Sequence, residues 1–231
     1  MKNIEEELQE LYNDFLKELQ LDENGYLGKR KFQNNIRIGK DYVNWNPKIL
    51  IVGLDAGSDN CKPFKKIIKL KEIEISDNCE IDGTVNPHMA GVYGTVLFFQ
   101  KDEELKKSLK ESRTFQSAIK DTTKRSKELL SSFALVNFYS FVTKERKNKT
   151  GGKDRIFIDK KLEKAHLIKI IDTINPDIIV VQSKQLKGDF EEIKKKIKNE
   201  SAQIYIGYHP SVVGRYREPK LYFKDLLENL L

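Results

Sequence analysis

The chain lacks a cysteine framework and any long apolar run. Among its 231 residues, Cys61 and Cys79 are the two cysteines, and neither has another cysteine or a paired histidine at metal-ligand spacing. This pattern favours reduced thiols, and we expect neither a zinc site nor an iron–sulfur cluster. No apolar segment approaches the roughly 20 residues of a membrane span, and residues 1–8 lack a signal-peptide layout. We therefore expect a cytoplasmic protein with no membrane partner.

Positive charge outweighs negative charge. The chain has 42 Lys and Arg against 35 Asp and Glu, which gives a formal charge of +7. Such an excess favours polyanionic partners, nucleic acid among them. Residues 144–155, which include Arg146 and Lys147, combine cations with two adjacent glycines after an apolar strand. This combination is typical of a loop that contacts phosphates and equally of a solvated loop.

Nearly continuous apolar segments alternate with amphipathic ones. We predict strands at 49–54, 133–138, 177–182 and 203–208, and helices at 4–19, 92–100, 114–130, 159–174, 186–198 and 221–231. Strands that are apolar throughout are typical of a parallel sheet covered on both faces. The pattern predicts an α/β fold, a three-layer α/β/α sandwich around a central, mainly parallel four-stranded sheet.

Two parts of the chain show no clear periodicity. Residues 1–46 combine the first helix with a loop-rich stretch at 21–45, and we interpret them as a lead-in packed on the same domain as residues 47–231. Residues 58–91 are long for a connection inside a compact domain. They are therefore a candidate functional loop or lid.

Two of the predicted strands end in side chains that are able to do chemistry. The first strand runs into Asp55 and the last into His209, each beside Gly or Pro. In an open parallel sheet, the loops that leave the carboxyl ends of the strands frame the ligand-binding crevice. We therefore expect Asp55 and His209 to face one pocket.

Three short motifs at strand ends resemble those of the uracil-DNA glycosylase superfamily in order and approximate spacing. They are Gly53-Leu-Asp-Ala-Gly57, Ala134-Leu-Val-Asn137 and His209-Pro-Ser211, and the resemblance covers residues 47–231. The iron–sulfur branch of that superfamily carries a cysteine a few residues after the middle motif, where this chain has none. Many relatives also carry Pro where this chain has Ala56. The resemblance implies the superfamily's α/β fold without the cluster.

The resemblance assigns roles to the residues of the first two motifs and to the histidine of the third. Asp55 stands where an acidic or amide side chain lies near the sugar and a water, and Gly53 and Leu54 precede it in the base-binding turn. Asn137 matches the asparagine that reads the edge of the flipped base. His209 matches the histidine that hydrogen-bonds the base carbonyl.

The aromatic ring that stacks on the base in this superfamily has two candidate positions. In branches that resemble this chain, the ring follows a proline after the first motif, and Phe64 after Pro63 fits that description. The stretch 87–91 lies closer to the next predicted helix and includes His88, which is a base contact, a loop residue or a helix cap. We prefer Phe64 for the stacking ring and keep His88 among the base-binding residues.

The expected DNA contacts lie at and after the last motif. Ser211 matches the serine that the superfamily places near phosphate. Residues 212–217 follow directly, and Val213, Arg215 and Tyr216 supply apolar and basic groups for insertion into the base stack and for phosphate contact.

The chemistry of these side chains suits cleavage of an N-glycosidic bond. That reaction gives the sugar oxocarbenium character, which a carboxylate such as Asp55 stabilises by charge. His209 can donate a hydrogen bond to the carbonyl of the departing base, and the Asn137 amide offers both a donor and an acceptor to its edge. We predict a monomeric DNA glycosylase without cofactors, which hydrolyses the bond to uracil or a related damaged base flipped from single- or double-stranded DNA.

Two other functions remain open at this stage. A catalytically silent nucleic-acid-binding module would use cations such as Arg146, Arg155 and Arg217 for phosphates. A hydrolase or binding protein for a free nucleoside would need no residues that wedge a duplex open.

Several polar residues also have purely structural interpretations. Asp55, Asn137 and His209 are each common in turns and strand caps. His166 is interpreted as a surface side chain of a helix, and Gln182 and Ser183 as residues that only finish a strand.

Overall fold

Strands and helices alternate along most of the chain. The computed structural model describes residues 4–22, 26–27, 30–32, 36–54, 87–119, 129, 131–143, 159–210 and 218–231. Within these ranges the α-helices are α1 (Ile4–Glu18), α2 (Pro87–Phe99), α3 (Glu103–Glu111), α4 (Phe115–Ile119), α5 (Lys160–Ile174), α6 (Lys187–Lys194) and α7 (Pro219–Glu228). The strands are β1 (Tyr26–Leu27), β2 (Arg30–Phe32), β3 (Arg37–Ile38), β4 (Ile49–Gly53), β5 (Phe133–Asn137), β6 (Phe141–Thr143), β7 (Ile178–Val181) and β8 (Gln203–Ile206).

The main sheet has five strands in the order β3-β5-β4-β7-β8. Its strands β5, β4, β7 and β8 coincide with the four predicted strands, and they pair in parallel. Every residue of β4 is buried. Because β4 lies between two parallel neighbours and is covered on both faces, it has no polar side to alternate with an apolar one. The predicted α/β fold is confirmed.

Helices cover both faces of this sheet. Successive side chains of a strand point to opposite faces. Leu50 and Val52 of β4 accordingly join a core that includes residues of α1, α5 and α6, whereas Ile49 and Ile51 join a second core with α2, α3, α4 and α7. We refer to the second side of the sheet as the α2 face.

The sheet differs from the predicted four strands at one edge. β3 adds a fifth strand that runs antiparallel to β5, with Ile38 opposite Ala134. A separate antiparallel sheet joins β1, β2 and β6. The interpretation of residues 21–45 as loop-rich is therefore wrong in part. These strands are two or three residues long, which is too short for a periodic pattern to show in the sequence.

Helix α2 begins five residues earlier than the predicted start at Val92. Its first residue is Pro87, and proline suits that position because the first N–H groups of a helix have no intrahelical acceptor. Residues 87–91 thus belong to a helix and not to the candidate loop 58–91. The rest of that candidate loop, with Cys61 and Cys79, lies outside the described residues.

His166 is a core residue, so its interpretation as a surface side chain is wrong. Its ring is 4% exposed and stacks on Phe15 of α1, with centroids 3.8 Å apart and an interplanar angle of 6°. Tyr12 meets the same ring edge-on at 5.0 Å. Burial, with a smaller contribution from the charge of Lys169, lowers the pKa of His166 to about 3. The neutral imidazole therefore joins α1 to α5 as an aromatic core side chain.

The last residues of the chain lie along the outer edge of β8. Leu231 N donates to Ile204 O at 2.9 Å, and Ile206 N donates to Asn229 O at 3.0 Å. Tyr205 and Leu230 form an antiparallel bridge between them. Ile204 O and Ile206 N, at the edge of the sheet, are therefore paired.

Candidate functional site

Four residues form a row across the carboxyl edge of the parallel strands. Gly53 of β4 pairs with Asn137 of β5. On the other side of β4, Gln182 N donates to Val52 O, and Gly207 N donates to Val181 O, each at 2.8 Å. The strand register therefore continues beyond the ends of β7 and β8. We call Asn137, Gly53, Gln182 and Gly207 the edge row.

The edge row lies on the α2 face of the sheet. Gly53 is two residues beyond Ile51, and Gln182 is two beyond Val180, so each shares a face with an apolar residue of that core. The row contains two amides and two glycines. Because glycine has no side chain, the space beside Gln182 on either side is available to side chains from neighbouring elements.

The amide of Asn137 lies over Gly53. A Cβ atom added to Gly53 would collide with Asn137 Oδ1 and would lie 3.4 Å from Asn137 Cγ. Beyond the strands, Phe138 N donates to Gly53 O at 2.9 Å, and Tyr139 N donates to Leu54 O at 3.1 Å. These bonds hold the two strand ends together, so the backbone fixes where the amide stands.

The first turn of α2 packs against the segment that follows β8. The rings of His88 and His209 stack with centroids 4.5 Å apart and an interplanar angle of 15°. One turn later, a Cβ on Gly91 would collide with the ring of Pro210. At the other end of α2, Gln100 Nε2 donates to Ser132 Oγ at 3.1 Å, next to the start of β5. The N-terminus of α2, which carries the positive end of the helix dipole, therefore lies at the carboxyl edge.

Burial keeps both stacked histidines in their neutral form. The pKa of His88 falls to about 4, chiefly because the ring is buried and secondarily because of His209 beside it. Burial also lowers the pKa of His209. A neutral imidazole carries one N–H donor and one acceptor nitrogen. At pH 7 this pair can therefore donate hydrogen bonds without placing a cation at the site.

Lys184, which follows β7, contacts Tyr208 and Asp225. Lys184 Nζ lies 4.1 Å from the centroid of the Tyr208 ring and 2.7 Å from Asp225 Oδ1. The carboxylate offsets much of the charge of this lysine at the end of β7.

Gln182 is a candidate site residue that the sequence interpretation did not include. Its side chain is completely buried, and within the described part of the chain neither Nε2 nor Oε1 has a hydrogen-bond partner. The signal was present in the strand pattern, because Gln182 shares its face with the apolar residues Ile178 and Val180. A polar residue at a core position is informative in itself.

The structure brings the predicted residues together in two pairs at one sheet edge. Asn137 lies with Gly53, and His88 lies with His209. Since neighbouring strands are about 4.8 Å apart, the β5 and β8 ends of the edge row are roughly 14 Å apart. Leu54 follows Gly53 and packs on the core opposite the α2 face.

The other predicted site residues lie outside the described part of the chain. They are Asp55, Phe64, Arg146, Lys147, Ser211, Val213, Arg215 and Tyr216. Their roles stay predictions.

Among the described residues, no three His, Cys, Asp or Glu side chains are grouped closely enough to hold a metal ion. No helix among them is both long and apolar enough to cross a lipid bilayer.

No family model matches the chain, and no curated protein matches it either.

Proposed function

We propose that the protein is a DNA glycosylase similar to the uracil-DNA glycosylase superfamily, which removes uracil or a related damaged base from DNA. The proposal includes that superfamily's version of the α/β sandwich. It rests chiefly on one observation, the Asn137 amide that lies over Gly53 at the carboxyl edge of the parallel sheet. An amide offers a donor and an acceptor side by side, which complements a ring edge with a carbonyl next to an N–H.

The stacked histidines support the proposal. The departing base leaves as an anion, and a donor aimed at its carbonyl oxygen favours the transition state over the ground state. His209 is neutral near pH 7, because burial lowers its pKa. It can therefore donate such a hydrogen bond, and stacking on His88 fixes the orientation of the His209 ring.

Asp55 completes the proposed reaction. It follows Leu54 directly in the chain, and its carboxylate would stabilise the positive charge that develops on the sugar and would orient the attacking water. The excess of basic residues, a formal charge of +7, favours binding of the phosphate backbone.

The test is release of free uracil from single- and double-stranded DNA that contains deoxyuridine. We expect release by the wild type, and strong losses in Asp55→Ala and Asn137→Ala. Asn44→Ala is the matched control, because Asn44 is exposed in the 3-10 helix Tyr42–Asn44. No release by the wild type, or equal release by Asp55→Ala, would contradict the proposal.

DNA-binding measurements on the same proteins test whether the protein is instead a catalytically silent binding module. Such a module would bind DNA with a steep salt dependence and release no base. Competition by free nucleosides would instead indicate an enzyme or binding protein for the monomers.

A further inference from the structure

The amide of Gln182 is buried at the carboxyl edge of the sheet. Other buried atoms without a hydrogen-bond partner within the described part of the chain include Tyr42 OH, His166 Nε2 and Asp225 Oδ2. Each of those is a single atom, and Tyr42 and His166 lie away from the edge row. Gln182 differs in that both polar atoms of its amide lack a partner, and it belongs to the edge row itself.

A buried amide without partners destabilises a folded protein. The group loses its hydrogen bonds to water and gains none in return. Most buried polar groups are paired, so an exception at a sheet edge with other candidate site residues calls for a physical reason. A ligand that supplies the missing donor and acceptor is such a reason, since stability is often lower at functional sites.

The two glycines that flank Gln182 in the edge row differ in what covers them. A Cβ on Gly207 would lie 2.8 Å from Leu226 Cδ1, so α7 fills that side of the row. On the other side is Gly53, which has no side chain and which Asn137 covers from β5. Asn137 and Gln182 thus stand on strands two apart, with one glycine between them.

We propose that Gln182 is a second specificity-determining residue, and that its amide hydrogen-bonds the polar edge of the same planar base that Asn137 reads. The identity of that base as a uracil-like ring in DNA rests on the proposed function. Uracil has two carbonyl oxygens around one ring N–H, and each carbonyl oxygen has two lone pairs. One asparagine amide cannot satisfy all of these groups, and the N–H donors of Gln182 can reach a carbonyl that Asn137 leaves open.

The variant Gln182→Met tests the proposal, because methionine keeps the length of the side chain and removes its polar atoms. We expect the melting temperature of the free protein to rise by about 3–8 °C, since an unpaired buried amide is lost. We expect kcat/KM for uracil release from DNA to fall roughly ten- to hundredfold. Gln185→Met is the matched control, because Gln185 is exposed three residues further along the chain. Both quantities should stay unchanged in it.

The outcomes separate this inference from the proposed function. If the wild type releases uracil and Gln182→Met releases it equally well, the inference is wrong and the proposed function stands. A lower melting temperature in Gln182→Met also overturns the inference, since the amide would then have a structural partner. If the wild type releases no uracil, the proposed function fails. Calorimetric measurement of free uracil binding then tests the role of Gln182 by itself. Weaker binding by Gln182→Met supports the inference, whereas equal binding, or none by either protein, overturns it.

Discussion

The side-chain oxygen of Asn137 occupies the space in which any residue larger than glycine at position 53 would place its Cβ atom. This contact joins the ends of β4 and β5 on the α2 face. Gly53 thus belongs to the candidate site for a steric reason. The Asn137 amide stands where it does only because Gly53 has no side chain.

The proposed function predicts that Gly53→Ala impairs base release more than it impairs folding. The colliding atom is the tip of an asparagine side chain, which can rotate away at modest cost. We expect the free energy of unfolding to drop by no more than about 1–2 kcal/mol, while release of uracil falls at least tenfold because the amide has moved. Urea denaturation and a base-release assay measure the two effects. Undiminished activity in Gly53→Ala would show that the position of the amide does not matter.

Gly91→Ala should destabilise the protein although alanine is the better helix former. Alanine gains up to about 1 kcal/mol of helix propensity, but its Cβ would collide with the rigid ring of Pro210. Overpacking of this kind costs roughly 1–3 kcal/mol, so the collision prevails. Thermal denaturation should show a lower melting temperature.

Gly188→Ala is the control for that experiment. Gly188 lies in α6, and a Cβ there would meet no atom within 4 Å. The same substitution should therefore stabilise the protein by roughly 0.5 kcal/mol through propensity alone. If Gly91→Ala and Gly188→Ala shift the melting temperature in the same direction, the contact with Pro210 is not restrictive.

Stability should fall as the pH drops below about 6.5. The pKa values of His88 and His166 are lowered to about 4 and about 3, whereas in the unfolded chain these residues titrate near 6.5. Between these values the unfolded state binds more protons than the native state, so the free energy of unfolding decreases with decreasing pH. Above pH 6.5 the two histidines contribute no pH dependence. Denaturation at a series of pH values measures the slope.

His166→Phe should reduce that acid sensitivity. Phenylalanine can keep the stack on Phe15 and cannot be protonated. We expect the variant to lose less stability than the wild type between pH 6.5 and pH 4, with little difference at pH 8. Identical slopes in the two proteins would mean that His166 is accessible to protons in the native state.

Glu163 should stabilise the segment that follows β5. It is 3% exposed, and both of its carboxylate oxygens accept from Ser140 N, at 3.2 and 3.1 Å, three residues beyond Asn137. Glu163→Leu leaves that buried N–H without this acceptor and should cost roughly 1–3 kcal/mol of stability. Glu163→Gln keeps an acceptor and should cost less. Equal unfolding free energies in the wild type and both variants would contradict this role.

The four long strands were predictable because their apolar runs require burial on both faces. β3 and the sheet β1-β2-β6 could not be predicted from the sequence. Their strands have two or three residues, which is too few to show a hydrophobic period, and only their pairing with other strands defines them. The start of α2 was missed because Pro87 and Gly91 suggest a break in a helix. In the fold, Pro87 opens the helix and Gly91 accommodates Pro210.

For the candidate site, the sequence indicated which residues follow the strands but not how they pair. The contact between Asn137 and Gly53 depends on the register of β4 and β5, which is set by the whole sheet. His166 was misjudged because a polar residue was assigned to the surface despite its position in an apolar pattern. Gln182 was interpreted as a residue that only finishes its strand, although it shares a face with apolar core residues. In α5, His166 lies between Glu163 and Ile170 at helical spacing, and all three are buried.

The pairing of Asn229 and Leu231 with β8 has a consequence for the behaviour of the protein in concentrated solution. A bare strand edge is a template on which another molecule can add its own strand, and such growth leads to insoluble aggregates. Here residues 229–231 lie along that edge. Deletion of these residues would expose the edge of β8 and favour association between molecules, even though it leaves the carboxyl edge of the sheet untouched.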